Sequence, residues 1–311
     1  MLLLPARRLL GFLAFICLSI SCIPNIAIAS SDAIVIFIRD DVYEDYQQFL
    51  AGRDVLSIHE FKHKNMRRDV ADMVLLQQAL ALGGFKRQFS YVPGKVNFRN
   101  TKMLETGELL LSFDSYWLID AKELASSVYI SDPVIRRGEY FAGIYTSPNN
   151  QKTLQLKSLA DLHELTGVST PKWQTDWKTM SSLPLKKLIR EDEWLSQARI
   201  VHMGWVDFML MPFFNSNDGS YQLEQIRLQR VPGIAILLDD SRHFVISKVH
   251  PSGKAAFDAI QRGMRILRAN GQIETMYREA GFLIDEKTIC ILNPSSKQPS
   301  EIKQLLPNKI N

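Results

Sequence analysis

The apolar positions of this chain fall into short runs bounded by glycine, proline or charge, the pattern of buried strands alternating with helices. Residues 33–38 form a β-branched run, which predicts the first strand. Asp69 caps a predicted helix to about Leu82, with Val70, Met73, Val74, Gln77, Leu80 and Ala81 along its sides and Gly83-Gly84 as its stop. A strand at 89–92, a polar helix at 100–106 ended by Gly107, and a buried strand at 109–113 follow. This alternation predicts an α/β unit with a largely parallel sheet.

A second unit begins after the strand-like residues 140–145, a candidate crossover. Ser158 with Asp161 makes a capping box for a helix at 159–165, stopped by Gly167. A brief strand at 168–170, a longer helix at about 183–198, a strand at 200–203 and an apolar run at 206–211 complete it. Strands at 234–238 and 243–247 lead to a helix opened by Ser252-Gly253, with Ala256, Ile260, Met264 and Leu267 at helical spacing and Asn270-Gly271 as its stop. A last helix at 273–279 closes at Gly281, and the tail 294–311 is expected to be poorly ordered. There is no internal repeat and no low-complexity linker.

The N-terminus changes the picture most. Arg7 and Arg8 precede an apolar run at 9–20, and Ala27-Ile28-Ala29 before Ser30 has the form that signal peptidase accepts, so residues 1–29 read as a cleaved export signal. Ser19, Ser21, Pro24 and Asn25 interrupt the run before it reaches the length of a spanning helix, which argues against a retained anchor. Lipidation at Cys22 is the weaker option, because Ser19 stands where a lipobox usually has leucine. The formal charge of +4 falls to +2 once Arg7 and Arg8 are removed, which gives no support to nucleic-acid binding. Cys17 and Cys22 lie in the signal, so Cys290 is alone in the exported chain and is expected to be a small buried hydrophobe. The expected location is the periplasm, and the length suits two lobes.

Four stretches carry a resemblance. They are Ser131-Asp132-Pro133, residues 156–162, Gly204-Trp205-Val206-Asp207-Phe208, and the passage from Phe244 through Asn270-Gly271 to Tyr277. In this order they resemble the bacterial extracellular solute-binding proteins, of the amino-acid type. That resemblance implies an α/β chain with a two-lobed type II periplasmic-binding fold, each lobe a mixed, mainly parallel sheet flanked by helices. Lobe one would be 30–138 plus 238–311 and lobe two 139–237. It also implies a monomer without cofactor that closes around a small polar solute, an amino acid or another carboxylate, for an inner-membrane transporter of the ABC type or for a sensor. The chain departs from the family after its first strand, where a charged stretch from Arg53 to Arg68 replaces the usual glycine and proline segment.

A site of this kind needs a charge partner and aromatic walls at the C-terminal ends of strands. Arg136 and Arg137, before the first crossover, are candidates to grip a carboxylate, or are solvated loop arginines. Tyr116 and Trp117 would wall the pocket or pack the core, and Trp173 and Trp177, after a strand ending at Thr170, would do the same in lobe two. Asp207 would receive an amine or serve structure. A rival motif is His59-Glu60-Phe61-Lys62-His63, which on a helix would place both histidines on one face for zinc with Glu60 as base. Lys62 and Lys64 crowd that cation, and the third-ligand extension is missing. With no nucleophile elbow, phosphate loop or dinucleotide pattern, the expectation is a binder, with a periplasmic sensor or adaptor next and a zinc hydrolase last.

Overall fold

The computed structural model describes residues 33–94, 99–214, 216, 218–284 and 289–293. The signal reading, Cys22 and the tail 294–311 lie outside these residues. Three sheets organise the described chain. In the first, β1 (Ile34–Arg39) pairs in parallel with β2 (Phe89–Gly94), from Ile34 opposite Phe89 to Arg39 opposite Gly94. α1 (Asp40–Leu50) follows β1 directly and buries Val42, Tyr46 and Phe49, a one-face spacing that the sequence reading overlooked. α2 (Arg68–Leu82) begins after Arg67, so Asp69 sits in its first turn rather than at its cap. It is buried on nearly every side because α1, α8 (Gly253–Ala269) and α9 (Gln272–Glu279) all pack on it.

α3 (Arg99–Thr106) precedes residues 109–113, which are buried but not a strand. Their ladder is reduced to one bridge, Leu111 with Ile246, and a bond from Ser247 N to Leu110 O of 2.8 Å. β3 (Tyr116–Trp117), α4 (Leu118–Glu123) and β4 (Val128–Ile135) come next, and β12 (Arg242–Ser247) runs antiparallel between β3 and β4.

The chain leaves this half through 136–140 and enters the eight-stranded sheet. That sheet is built from β5 (Phe141–Thr146), β6 (Thr166–Ser169), β7 (Lys187–Arg190), β8 (Phe208–Pro212), the hairpin β9 (Ser220–Leu223) and β10 (Ile226–Arg230), β11 (Ile234–Leu237) and β13 (Cys290–Ile291). Its parallel pairs are β6 with β7, β6 with β8, and β11 with β13; the rest are antiparallel. α5 (Gln151–Leu154), α6 (Gln174–Ser182) and α7 (Trp194–His202) flank it.

Several expectations are corrected here. The capping box of Ser158 and Asp161 is present, but it opens a 3-10 turn, and Gly167 lies within β6 rather than ending a helix. The helix expected at 183–198 is β7 followed by α7, and the strand expected at 200–203 is the end of α7. β7 is an edge strand with an exposed, half-buried, half-buried, exposed pattern, so its apolar pair Leu188 and Ile189 mimics a helix face. Cys290 is exposed rather than buried. Among the described residues no helix is long and apolar enough to cross a membrane.

Candidate functional site

The first turn of α2 projects charge into the space between the two halves of the chain. Asp72, fully buried, accepts from Arg68 Nη1 at 2.8 Å, Ser115 N at 2.9 Å and Ser115 Oγ at 2.8 Å, and from the Tyr277 hydroxyl. Burial and the adjacent Asp72 push the Tyr277 phenol well up, so it stays the donor. A buried carboxylate is stable only when donors satisfy it, and here three bonds reach Oδ2 and one reaches Oδ1. Ser115 passes the arrangement on, since its Oγ accepts from Arg242 Nε at 2.9 Å and its carbonyl accepts from Arg242 Nη2. The Arg242 guanidinium lies over the Trp117 ring at 4.5 Å, and Tyr140 meets that ring edge-on at 5.1 Å. Asp72 therefore places both arginines, one directly and one through a serine.

Around this core, Arg67 pairs with Asp41 at 2.9 Å, Asp45 at 3.3 Å and Asp69 at 3.3 Å, and Arg68 pairs with Asp69. Burial pushes the Asp69 carboxyl up, but Arg68 and Arg67 outweigh it and hold the group well below the usual carboxylate range. Asp114 shows the opposite balance. Its Oδ1 accepts from Ser112 Oγ at 2.9 Å and its Oδ2 is 3.7 Å from Arg68, so burial together with nearby Asp69 and Asp72 raises it. Tyr221 of β9, in a ring group with Trp194 and Phe214, stands beside Arg67, Asp41 and Asp45.

The opposite wall comes from α6. Thr175 Oγ1 donates to Asp240 Oδ2 at 3.2 Å, which also accepts from Ile119 N at 3.2 Å, and Gln174 Nε2 reaches Glu123 at 2.8 Å. Burial pushes the Asp176 carboxyl up to about 6, against Arg242 and a hydrogen bond from Trp117. Asp120 of α4 is pushed up to about 6 by burial with Glu123 and Asp176 close by. The arginines here are already engaged by carboxylates and a serine, while Asp114, Asp120 and Asp176 carry the unrelieved burial. Such a patch holds hydrogen-bond donors and positive charge better than anions. Cavities of about 70 and 360 Å3 lie elsewhere, against β1 and His250 and against Arg230 and Pro232.

Of the residues the sequence singled out, Trp117 and Tyr116 border this patch, Trp117 buried and Tyr116 half-buried with its hydroxyl 3.3 Å from Thr101 Oγ1. Trp173 caps α6 and Trp177 lies half-buried on it. Thr170 is buried and donates to Asp192 at 2.8 Å. Arg136 and Arg137 stand apart on the crossover, exposed, with Arg137 2.7 Å from Asp239 and Arg136 3.9 Å from Glu139. Asp207 is a structural tie, accepting from Thr166 N at 2.7 Å, Thr166 Oγ1 at 2.8 Å and Asn150 Nδ2 at 3.1 Å. The segment from His59 to His63 is not helical, so its histidines share no helix face; His63 meets Phe49 edge-on at 5.7 Å. No group of three or more metal-ligating side chains is assembled among the described residues. Sequence reasoning missed Arg68, Asp72 and Arg242. The available signals were a second acid, Asp72, inside a helix otherwise buried and apolar, and an arginine heading a buried strand.

No family model matches the chain, and no curated protein matches it. Among solved structures, the periplasmic VFT2 domain of BvgS from Bordetella pertussis is similar with a TM-score of 0.50 at 14% identity, over 76% of this chain and 97% of that one. This chain has the same two-lobed fold. A mutant of ArgBP from T. maritima is similar at TM-score 0.48 and 15% identity over 82% and 97% of the two chains, and an ancestral amino acid-binding protein, a precursor of cyclohexadienyl dehydratase, at 0.48 and 16% over 80% and 96%. The resemblance read from the sequence therefore stands at the level of fold.

Proposed function

We propose that the protein is a periplasmic binding protein that closes two lobes around a small polar solute. Lobe one is 30–138 with 238–284 and lobe two is 139–237, joined by the crossovers at 136–140 and 238–241, with β13 returning to pair β11 in the sheet of lobe two. The carrying observation is convergence. The end of β1, the 112–115 loop and the first turns of α2 and α6 deliver polar side chains to one patch walled by Trp117 and Tyr140. Ligands of open α/β sheets bind at such strand ends. The excess of buried carboxylate makes an amine-bearing solute, an amino acid among them, the first class to test, with an inner-membrane transporter as the receiving partner.

The test is a thermal-shift screen of refolded protein against amino acids, amines, small carboxylates, sugars and divalent metals. A ligand at about 100 times its Kd stabilises by about 2.7 kcal/mol. A shift with one organic class that disappears in Asp114→Asn supports the reading, and no shift with any organic class sinks it. One observation favours a second reading, a sensor or adaptor of the same fold. Gln174 and Thr175 of α6 already bond Glu123 and Asp240 across the proposed lobe boundary, so contact between the lobes is held by the chain's own groups. Capture of a membrane protein by solute-free protein would favour it.

A further inference from the structure

The two lobes also meet where α4 packs against α6, and there the contacts are unusually acidic. α4 brings Asp120 and Glu123, α6 brings Asp176, and Asp240 stands in the second crossover. Neutral partners bridge them: Gln174 Nε2 to Glu123 Oε1 at 2.8 Å, Thr175 Oγ1 to Asp240 Oδ2 at 3.2 Å, and Trp117 to Asp176. The cation facing both Asp120 and Asp176 is Arg242 of β12, with Arg68 of α2 a further one toward Asp176. Arg242 is also held by Ser115 and Trp117, and Arg68 by Asp69 and Asp72. Lys122 of α4 and Lys178 of α6 lie on exposed positions of their helices.

We propose that this seam is a proton-operated catch, in which Asp120 and Asp176 oppose lobe closure when both are ionised and allow it when protonated. The inference rests on the two-lobed reading but requires no solute. In this structure, with α4 packed on α6, both carboxyls are raised from the ordinary value of 3.8 to about 6, burial being the largest cause. Opening returns them to water and to ordinary values. The closed form therefore binds more protons between those limits. Closure is most favoured below about pH 4, weakens as pH rises through 6, and changes no further above it. With each pKa unit a factor of ten, the closure equilibrium shifts by more than about tenfold across that window.

Small-angle scattering of solute-free protein at pH 5.0 and 7.5 tests this. The expected result is a smaller radius of gyration at pH 5.0, abolished in the double variant Asp120→Asn with Asp176→Asn, which stays compact at both. A radius independent of pH in the wild type, or a pH dependence that survives in the double variant, overturns the proposal. Should the variant fail to fold, carbon-detected NMR titration of the wild-type carboxyls decides. Two aspartates at Asp120 and Asp176 titrating near 6 sustain it, and ordinary values end it. Because no solute is present, failure here leaves the solute-binding reading untouched, and failure of the solute screen leaves the catch testable.

Discussion

The backbones of α2 and α8 approach each other closely, and replacing Gly263 by alanine probes that contact. An added Cβ at Gly263 would stand 1.9 Å from Ala79 O and 2.5 Å from its carbon, and Gly83 has the reciprocal relation to Ala259. Ordinary contact begins at 3.4 Å, so the helices must part, and the atom in the way is backbone that cannot rotate aside. Separation would also stretch the bonds from Arg262 to Gly83 O, at 3.1 Å from Nε and 2.6 Å from Nη2. Overpacking of this kind costs up to about 3 kcal/mol. Alanine in a helix interior returns about 1 kcal/mol over glycine. The expected net loss is about 2 kcal/mol, a fall in Tm of about 4–8 °C for a chain of this size class. Thermal melts followed by circular dichroism, with the exposed Arg265→Ala as control, measure it. A Gly263→Ala protein as stable as wild type, or stabilised by the propensity gain, would refute the close-packing argument. Since α2 carries Arg68 and Asp72, any surviving displacement should also weaken solute stabilisation in the same sample.

Other outcomes follow from individual groups. Asp72→Ala leaves Arg68, Ser115 and Tyr277 without their shared acceptor and should cost about 3–5 kcal/mol in urea unfolding, whereas Tyr277→Phe removes one donor and should cost about 1.5–3 kcal/mol. Asp207→Asn should lower stability by about 1–3 kcal/mol through Thr166 while leaving any solute-induced shift intact, because the carboxylate is consumed by the β6 entry. Asp41 and Asp69 are held below the ordinary carboxylate value in the folded state, so the stability they contribute is present above about pH 4 and lost as pH falls below it. Urea midpoints between pH 5 and 2.5 should fall accordingly, and flat midpoints would contradict the pairing with Arg39, Arg67 and Arg68.

Local pattern carried much of the fold. The β1, α2, α3, β11, α8 and α9 segments were legible because each joins an apolar period to a glycine or polar stop, as Asn270-Gly271 does with Gly271 at a φ of +76°. α1 was legible in principle from Val42, Tyr46 and Phe49, but a strand running straight into a helix at Arg39 offers no side-chain cap to announce it. β7 and α7 were merged because an edge strand of four residues lacks alternation long enough to outweigh a helical period. The site was less legible. Trp117 and the α6 tryptophans were visible as aromatics after strands, but Asp72 reaches Ser115 across 43 positions and Ser115 reaches Arg242 across 127. Nothing in either local sequence marks such a relay.

The end of the described chain bears on how the lobes can move. β13 returns to lie parallel with β11, Ile234 opposite Cys290, and Asn293 then clasps Leu237 by donating from Nδ2 to its carbonyl at 3.0 Å and accepting from its amide at 2.8 Å. On the proposed lobe assignment β11 leads into a crossover, so this clasp would splint that strand against a segment that arrives after α9. Two linkers alone permit bending and twisting alike. A third tether at one of them makes twist the stiffer coordinate and leaves bending as the soft one, so the molecule should open like a book rather than like a propeller.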